Sequence, residues 1–291
     1  MSPSARPAEP GVAAIVVNYE AGPLLEGCVA SLLDEGVDEL VVVDNGSTDG
    51  SADRVRRRWP GVEVVSPGRN LGYGAAANRG VAATRSADVL ICNADLVVAP
   101  GSVAALVDAL GARPTVGIAG PLVRTPEGDR YPSARRFPSL VDAAGHALLG
   151  MFRPRNRFTE AYQRSDLAPV GDRVAPVDWV SGACLLARRS ALERIGGFDE
   201  AYFMYAEDVD LCWRAGRAGW GVVYVPGAEV THQQGVSTAR HPYRMILEHH
   251  RSLLRFAGRS TTGWRRLLLP LVAAGIGVRA VLASVRTVAG S

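Results

Sequence analysis

The chain has 291 residues, 47% hydrophobic and 21% charged, the balance of a folded globular protein and not of a disordered or collagen-like one; at ~100–200 residues per domain it forms one large α/β domain or two small ones. All 32 basic residues are arginine, and the absence of lysine excludes a Walker phosphate loop, a pyridoxal Schiff base and a lysine nucleophile. The net charge of +3 is unevenly spread: residues 1–130 hold 11 Arg against 16 acids and residues 211–291 hold 11 Arg against 2, which points the C-terminal end toward an anionic partner or a membrane surface.

Residues 1–11 read as a flexible N-terminus without an apolar signal segment, favouring the cytosol. From residue 12 short β-type runs alternate with helical patterns, as in a mostly parallel sheet with crossover helices. Strands are expected over 12–17, 39–44, 62–66 and 88–92, and helices over 23–34, 51–58 and 73–84. A helix over 102–110 leads to a strand over 116–120. Residues 124–176, rich in Pro, Arg and aromatics, read as an irregular excursion from the sheet. Order returns with a strand over 177–187, helices over 190–195 and 208–218, strands over 221–225 and 229–232, and C-terminal helices over 243–256 and 264–288. Cys28, Cys92, Cys184 and Cys212 lack the paired spacing of a zinc or redox site and read as core thiols of a reducing compartment.

In α/β sheets ligands bind beyond the carboxyl ends of the strands, and here each early strand ends in polar groups. Asn18-Tyr19-Glu20 follow the first, Asp44 to Gly50 the second, Arg69 to Gly72 the third, and Asn93-Ala94-Asp95 the fourth. Any one of these is explained by a turn or a helix cap. Four in succession form a rim suited to a nucleotide, with carboxylates for base or ribose and glycines for close backbone approach. Gly72 to Ala77 match a G-x-G-x-x-A dinucleotide pattern, but after the third strand and not within the first βαβ unit, which argues against that use.

Asp95, just past a buried strand, suits a divalent ion that bridges phosphate oxygens, and His232, at another strand end, is either a further ligand or a structural histidine. Between Gly196 and Leu211 an aromatic loop carries Glu207, Asp208 and Asp210 into a helix. Helix capping accounts for one or two of these acids, and a third against the apolar Phe203 and Tyr205 could act as a general base.

Together, Val-Asp-Asn-Gly-Ser-Thr-Asp-Gly (43–50), Asn-Leu-Gly-Tyr-Gly (70–74), Asn-Ala-Asp (93–95), Gly-Gly-Phe-Asp (196–199) and Glu-Asp-Val-Asp-Leu (207–211) resemble the family-two glycosyltransferases of the GT-A fold, over residues 12–258. Residues 136–140, 145–150 and 178–186 are more specifically similar to actinobacterial rhamnosyltransferases that extend N-acetylglucosaminyl-diphospho-polyprenol with rhamnose from dTDP-rhamnose, in building a cell-wall linker.

The resemblance implies a Rossmann-like nucleotide-sugar-binding domain, with a donor half over 12–120, an acceptor and catalytic half over 121–258, and a helical segment over 259–291 that is amphipathic or apolar. Asn18, Tyr19, Glu20, Asp44 and Asn45 would hold the base and ribose, and Arg69, Asn70, Gly72, Asn78, Asn93 and Ala94 the diphosphate and sugar. Asp95 would bind Mg or Mn with His232, although Asn93 stands where the family's motif has its first Asp. Asp208 would be the catalytic base of an inverting transfer. Trp179, Ser181, Gly182 and Glu207, with the basic Arg240 and Arg251, would meet the acceptor.

The 12-residue apolar run 267–278 is too short to span a bilayer, so the expectation is a peripheral protein on the inner face of the plasma membrane. A second copy of the chain is a candidate partner; nucleic acid is not. Transfer from another nucleotide-sugar, dinucleotide-dependent oxidoreduction and noncatalytic sugar-nucleotide binding stand as alternatives.

Overall fold

Val- and Ile-rich runs pair as strands and bury both faces where helices cover them. In a computed structural model, which describes residues 9–137, 173–233, 242–270 and 272–279, the chain begins with β1 (Glu9–Asn18), buried from Ala13 onward. There follow α1 (Leu24–Asp34), β2 (Glu39–Asp44), α2 (Ser51–Arg58), β3 (Glu63–Val65), α3 (Tyr73–Ala83) and β4 (Ser86–Asn93). These strands lie in the order β3-β2-β1-β4, all parallel, so the ends of β1, β2 and β4 open on the same edge.

The second half changes direction. It comprises β5 (Leu96–Val98), α4 (Ser102–Gly111), β6 (Val116–Arg124), β7 (Arg130–Tyr131), β8 (Ala134–Arg135), β9 (Ala175–Val177), β10 (Trp179–Val180), β11 (Cys184–Arg188), α5 (Arg189–Ile195), α6 (Glu207–Arg217), β12 (Gly221–His232) and α7 (Pro242–Ser260). β11 inserts antiparallel between β4 and β6, β12 runs parallel to β6, and β5 closes the edge antiparallel to β12. That last pairing sets Leu96 opposite His232 and brings the turn after β4 to the end of β12.

One core lies under α1 and α4, around Leu25, Leu32, Leu106 and Leu110; the other lies under α3 and α6, around Ile15, Tyr73, Leu185 and Leu211. All four cysteines are buried and unbridged.

Several boundaries differ from expectation. The strand expected over 177–187 is three: β9 pairs with β12, β10 forms a separate ribbon with β8, and β11 joins the main sheet. Polar Asp178 and Ser181-Gly182 interrupt the apolar run, and the backbone there turns to Arg135 and Ser133 through Asp178 N to Arg135 O (3.1 Å) and Ser181 N to Ser133 O (2.7 Å). The two strands expected over 221–232 are one, with a bulge between Val225 and Glu229. β1 takes in Glu9–Gly11, expected as flexible, and β7 and β8 order part of the expected excursion, whose residues 138–172 lie outside those described. The last helix opens as a 3-10 turn, Gly263–Leu268, and continues helical over 269–270 and 272–279; its expected remainder is outside the described residues.

α3 approaches β1 and β2 closely because Gly80 has no side chain: a Cβ there would collide with Ile15 and come within 3.1 Å of Val43. Gly80→Val should therefore destabilise the protein by ~1–3 kcal/mol or more, the usual cost of overpacking, measured as a lower denaturant midpoint at an unchanged slope.

Candidate active site

The strand ends border a cleft of about 520 Å³. Tyr19, Asn45, Asn70 and Gly72 line one side, Asn93, Ala94, Asp95 and His232 the floor, and Trp179, Ser181, Gly182, Glu207 and Asp208 the other side. The structure thus brings together most residues singled out in the sequence from segments more than 200 positions apart.

Some polar residues of the rim build the loops and do not face the cleft. Asn18 is fully buried, and its amide donates to Asp44 Oδ1 (3.3 Å), Ser47 Oγ (3.1 Å) and Ser51 Oγ (2.9 Å). Glu20 has a left-handed backbone (φ 55°), and its Oε1 accepts from Thr48 N (2.7 Å) and Thr48 Oγ1 (2.8 Å). Asp44 accepts from Ser47 N at 3.2 Å. These three hold the β2–α2 loop through these bonds and are not on the cleft lining, where they were expected to hold the base and ribose. Asn45 joins two loops: its Nδ2 donates to Asn70 Oδ1 (3.0 Å) and Gly72 O (3.2 Å), and its Oδ1 accepts from Leu71 N (2.8 Å).

Asn78, expected at the diphosphate and sugar, is likewise not on the cleft lining. Its amide pairs with both backbone groups of Phe198, at 2.9 Å each, fastening the Gly-Gly-Phe-Asp turn to α3 outside the cleft. Arg69 is exposed and off the cleft lining.

At the floor, His232 Nε2 lies 3.0 Å from Asp95 Oδ1 and 3.2 Å from the Asn93 amide nitrogen. A single ring nitrogen cannot donate to the carboxylate and accept from the amide together. Turning the Asn93 amide over places its oxygen there, and a proton on Nδ1, which is buried without a partner, leaves Nε2 with a free lone pair. Two oxygens and one nitrogen then converge, a donor set that fits a divalent cation. No group of three His, Cys, Asp or Glu side chains suited to a metal occurs among the described residues, so an ion here needs further oxygens from a ligand.

Opposite, Tyr205 (φ 69°) and Ala206 (φ 61°) take left-handed conformations in succession, costly for non-glycine residues and characteristic of functional turns. They start α6 abruptly, with Glu207 and Asp208 in its first turn. Burial, and then the neighbouring Asp208 charge, push the Glu207 carboxyl up to about 8, and its Oε2 is buried without a partner. Burial also raises Asp208, but its Oδ2 accepts from Gly182 N and its Oδ1 from Val209 N, both at 2.8 Å, and these bonds favour the carboxylate. Of the pair, Glu207 holds the proton and Asp208 the negative charge. Asp210 is fully buried and structural, bound to Arg214 Nε (2.6 Å) and facing Arg259 (3.3 Å).

Beyond Asp208 the cleft is walled by Met204, Tyr205, Met245, His249, Leu253 and Phe256, with Arg135 and Arg136 beside Trp179. The sequence reading placed neither arginine in the site, because both sit in a stretch without periodicity. Arg251, expected at the acceptor, is exposed, paired with Glu248 (3.1 Å) and absent from the lining; Arg240 lies outside the described residues.

A model of the family described as "Glycosyltransferase like family 2" matches residues 10–252. The chain is 46% identical over 265 residues, 87% of its length and 85% of the relative's, to N-acetylglucosaminyl-diphospho-decaprenol L-rhamnosyltransferase of Mycobacterium tuberculosis. It is 38% identical over 100 residues, 34% of each chain, to rhamnosyltransferase WbbL of Escherichia coli. Among solved structures it is similar to the mannosyltransferase PcManGT of Pyrobaculum calidifontis in complex with GDP-Man and Mn2+, with a TM-score of 0.58 at 20% identity over 99% of this chain and 79% of that one. Likeness at that identity speaks for the fold.

The Glu207–Asp208 pair predicts how stability depends on pH. Glu207 takes up its proton at about 8 when folded and at ~4.3 when unfolded, so the stability carried by its neutral form is full below ~pH 4 and lost as pH rises through 8. Denaturant titrations should show the parent losing stability across that window by up to ~1.4 kcal/mol per pH unit. Glu207→Gln should flatten the slope.

Proposed function

The chain belongs to glycosyltransferase family 2, and from that membership we propose that it moves L-rhamnose from dTDP-rhamnose to a sugar hydroxyl of N-acetylglucosaminyl-diphospho-polyprenol. The likeness to the mycobacterial rhamnosyltransferase along nearly the whole of both chains carries this reading. Dinucleotide oxidoreduction falls with the family assignment, since the chain is a glycosyltransferase.

In this reading the donor nucleotide lies along Tyr19, Asn45, Asn70 and Gly72. Its diphosphate faces Asn93, Asp95 and His232, which would hold a divalent ion. Such an ion supplies positive charge against the negative charge growing on the departing diphosphate. Asp208 takes the acceptor hydroxyl proton as that oxygen bonds to the anomeric carbon and the bond from the carbon to dTDP breaks. The Gly182 and Val209 amides keep Asp208 ionised and aimed, and neutral Glu207 adds no second charge to repel it.

Residues 12–258 act as one catalytic domain on the cytosolic membrane face. Exposed Trp264 and Leu267, flanking Arg265 and Arg266, offer an apolar and basic edge to lipid. No helix among the described residues is long and apolar enough to cross a membrane.

Two measurements test this reading. Asp208→Asn should reduce transfer by ~10²–10⁴-fold with donor affinity and melting temperature nearly unchanged; turnover within about threefold of the parent overturns the base assignment. In calorimetric competition with Mg2+ or Mn2+ present, dTDP-rhamnose should bind more tightly than UDP-glucose, and EDTA or Asp95→Ala should abolish the advantage of added metal. Tighter UDP-glucose binding leaves the family standing and removes the rhamnosyl reading.

A further inference from the structure

A lipid-diphosphate acceptor imposes an order on its binding site: sugar at the base, two phosphates next, apolar chain beyond. The cleft shows the first and last of these in Asp208 and in the wall of Met204, Met245, Leu253 and Phe256. The only guanidinium groups on its described lining are those of Arg135 and Arg136, adjacent in the chain to Phe137, which meets Phe256 of the apolar wall.

Both arginines sit on a rigid ribbon. Trp179 Nε1 donates to Arg136 O (3.2 Å), Asp178 N to Arg135 O (3.1 Å) and Phe137 N to Asp178 Oδ2 (2.7 Å). The Arg135 guanidinium lies over the Trp179 ring at 5.7 Å, its Nε donating to Pro132 O at 3.1 Å. Next to them, Phe137 meets Phe256 of α7 at 6.3 Å, so charge passes directly into apolar surface. Arg135 and Asp208 line the same cleft, and the charge of Arg135 favours the Asp208 carboxylate. Arg136 is exposed and exceeds what one carboxylate needs as a counter-charge.

We propose that Arg135 and Arg136 seat the acceptor's diphosphate, Trp179 bracing the ribbon that presents them, with the lipid chain leaving along the wall of Met204, Met245, Leu253 and Phe256. The role expected of Arg240 and Arg251 thereby moves to β8. This subsite rests on the lipid-diphosphate reading of the acceptor given above. Planar guanidinium forks suit phosphate oxygens, and the Arg135 side chain is already held by Pro132 O and the Trp179 ring, which spares part of its ordering entropy. In the same reading the donor's diphosphate is met by the ion that Asp95 and His232 would hold, so the two phosphate sources are separable by experiment.

Farnesyl diphosphate, which has the phosphates and the apolar chain but no sugar, is the probe, and dTDP reports the donor seat. By calorimetry the full-length parent should bind both. Arg135→Gln and Arg136→Gln should each weaken farnesyl diphosphate at least tenfold, Arg136→Lys should recover only part of the loss because it restores the charge but not the fork, and dTDP affinity should stay within twofold. Because Arg136 is exposed, its variants remain informative if Arg135→Gln disturbs the ribbon. Failure of the parent to bind farnesyl diphosphate, unchanged affinity in Arg136→Gln, or a parallel loss of dTDP overturns the subsite. Turnover of N-acetylglucosaminyl-diphospho-farnesol by the parent is scored separately. Its absence beside arginine-dependent binding removes the rhamnosyl reading alone, and its presence beside arginine-independent binding removes the subsite alone.

Discussion

Two adjacent carboxyl groups open α6 in a place with too little water to keep both charged, and much of the cleft is arranged around which one keeps its proton. Asp208 prevails because two backbone amides point at it, and one of them, Gly182 N, is itself held from elsewhere. The Gly182 carbonyl accepts from Tyr73 OH at 2.5 Å, and Tyr73 N donates to Phe203 O at 3.0 Å. Gly72, just before Tyr73, lies so close to Phe203 O that a Cβ would collide with it. The loop that lines the donor side, the aromatic loop and the base thus form one bonded unit. A displacement of Asn70 to Gly72 by a donor would be felt at the base through Tyr73, because each link is a directional bond between packed groups.

The strand-end logic was legible from sequence because parallel strands leave their polar residues on one edge, and β1, β2 and β4 do so here. The division of labour among those residues was not. Asn18 and Asn45 read alike as polar groups at strand ends, and Asn78 joins them only through the family resemblance; of the three Asn45 borders the cleft, while Asn18 bonds within the neighbouring loop and Asn78 secures a turn. An asparagine offers two donors and an acceptor to whatever lies near, and nearness is decided by pairing that spans 25 to 120 residues. Arg135 and Arg136 were illegible for the same reason: β8 is two residues long and exists only through β10, some 44 positions later.

The floor follows from topology more than from motif. β5, unseen in the sequence, is three residues long, yet its pairing with β12 is what brings His232 to Asp95. With Asn93 in place of a second acid, the seat carries one formal charge, and a neutral amide oxygen and an imidazole do the rest. A hard cation seated there would need further oxygens from a ligand to complete its shell.

The basic C-terminal end looks in sequence like a single electrostatic surface, and the structure divides it. Arg255 and Arg259 turn inward to Asp199, at 3.2 and 2.5 Å, and Arg259 also faces buried Asp210. Their charge neutralises acids of the aromatic loop and α6 and fixes α7 to the catalytic domain, aided by Ser252 Oγ donating to Met204 O at 2.9 Å. So held, α7 can lend Met245, His249, Leu253 and Phe256 to the cleft wall, and burial lowers His249 to about 4, which keeps that wall uncharged. Further along, Arg265 and Arg266 lie between exposed Trp264 and Leu267 and have no acidic partner among the described residues. One helix thereby serves as the far wall of the cleft and is tied to the aromatic loop that forms its near side.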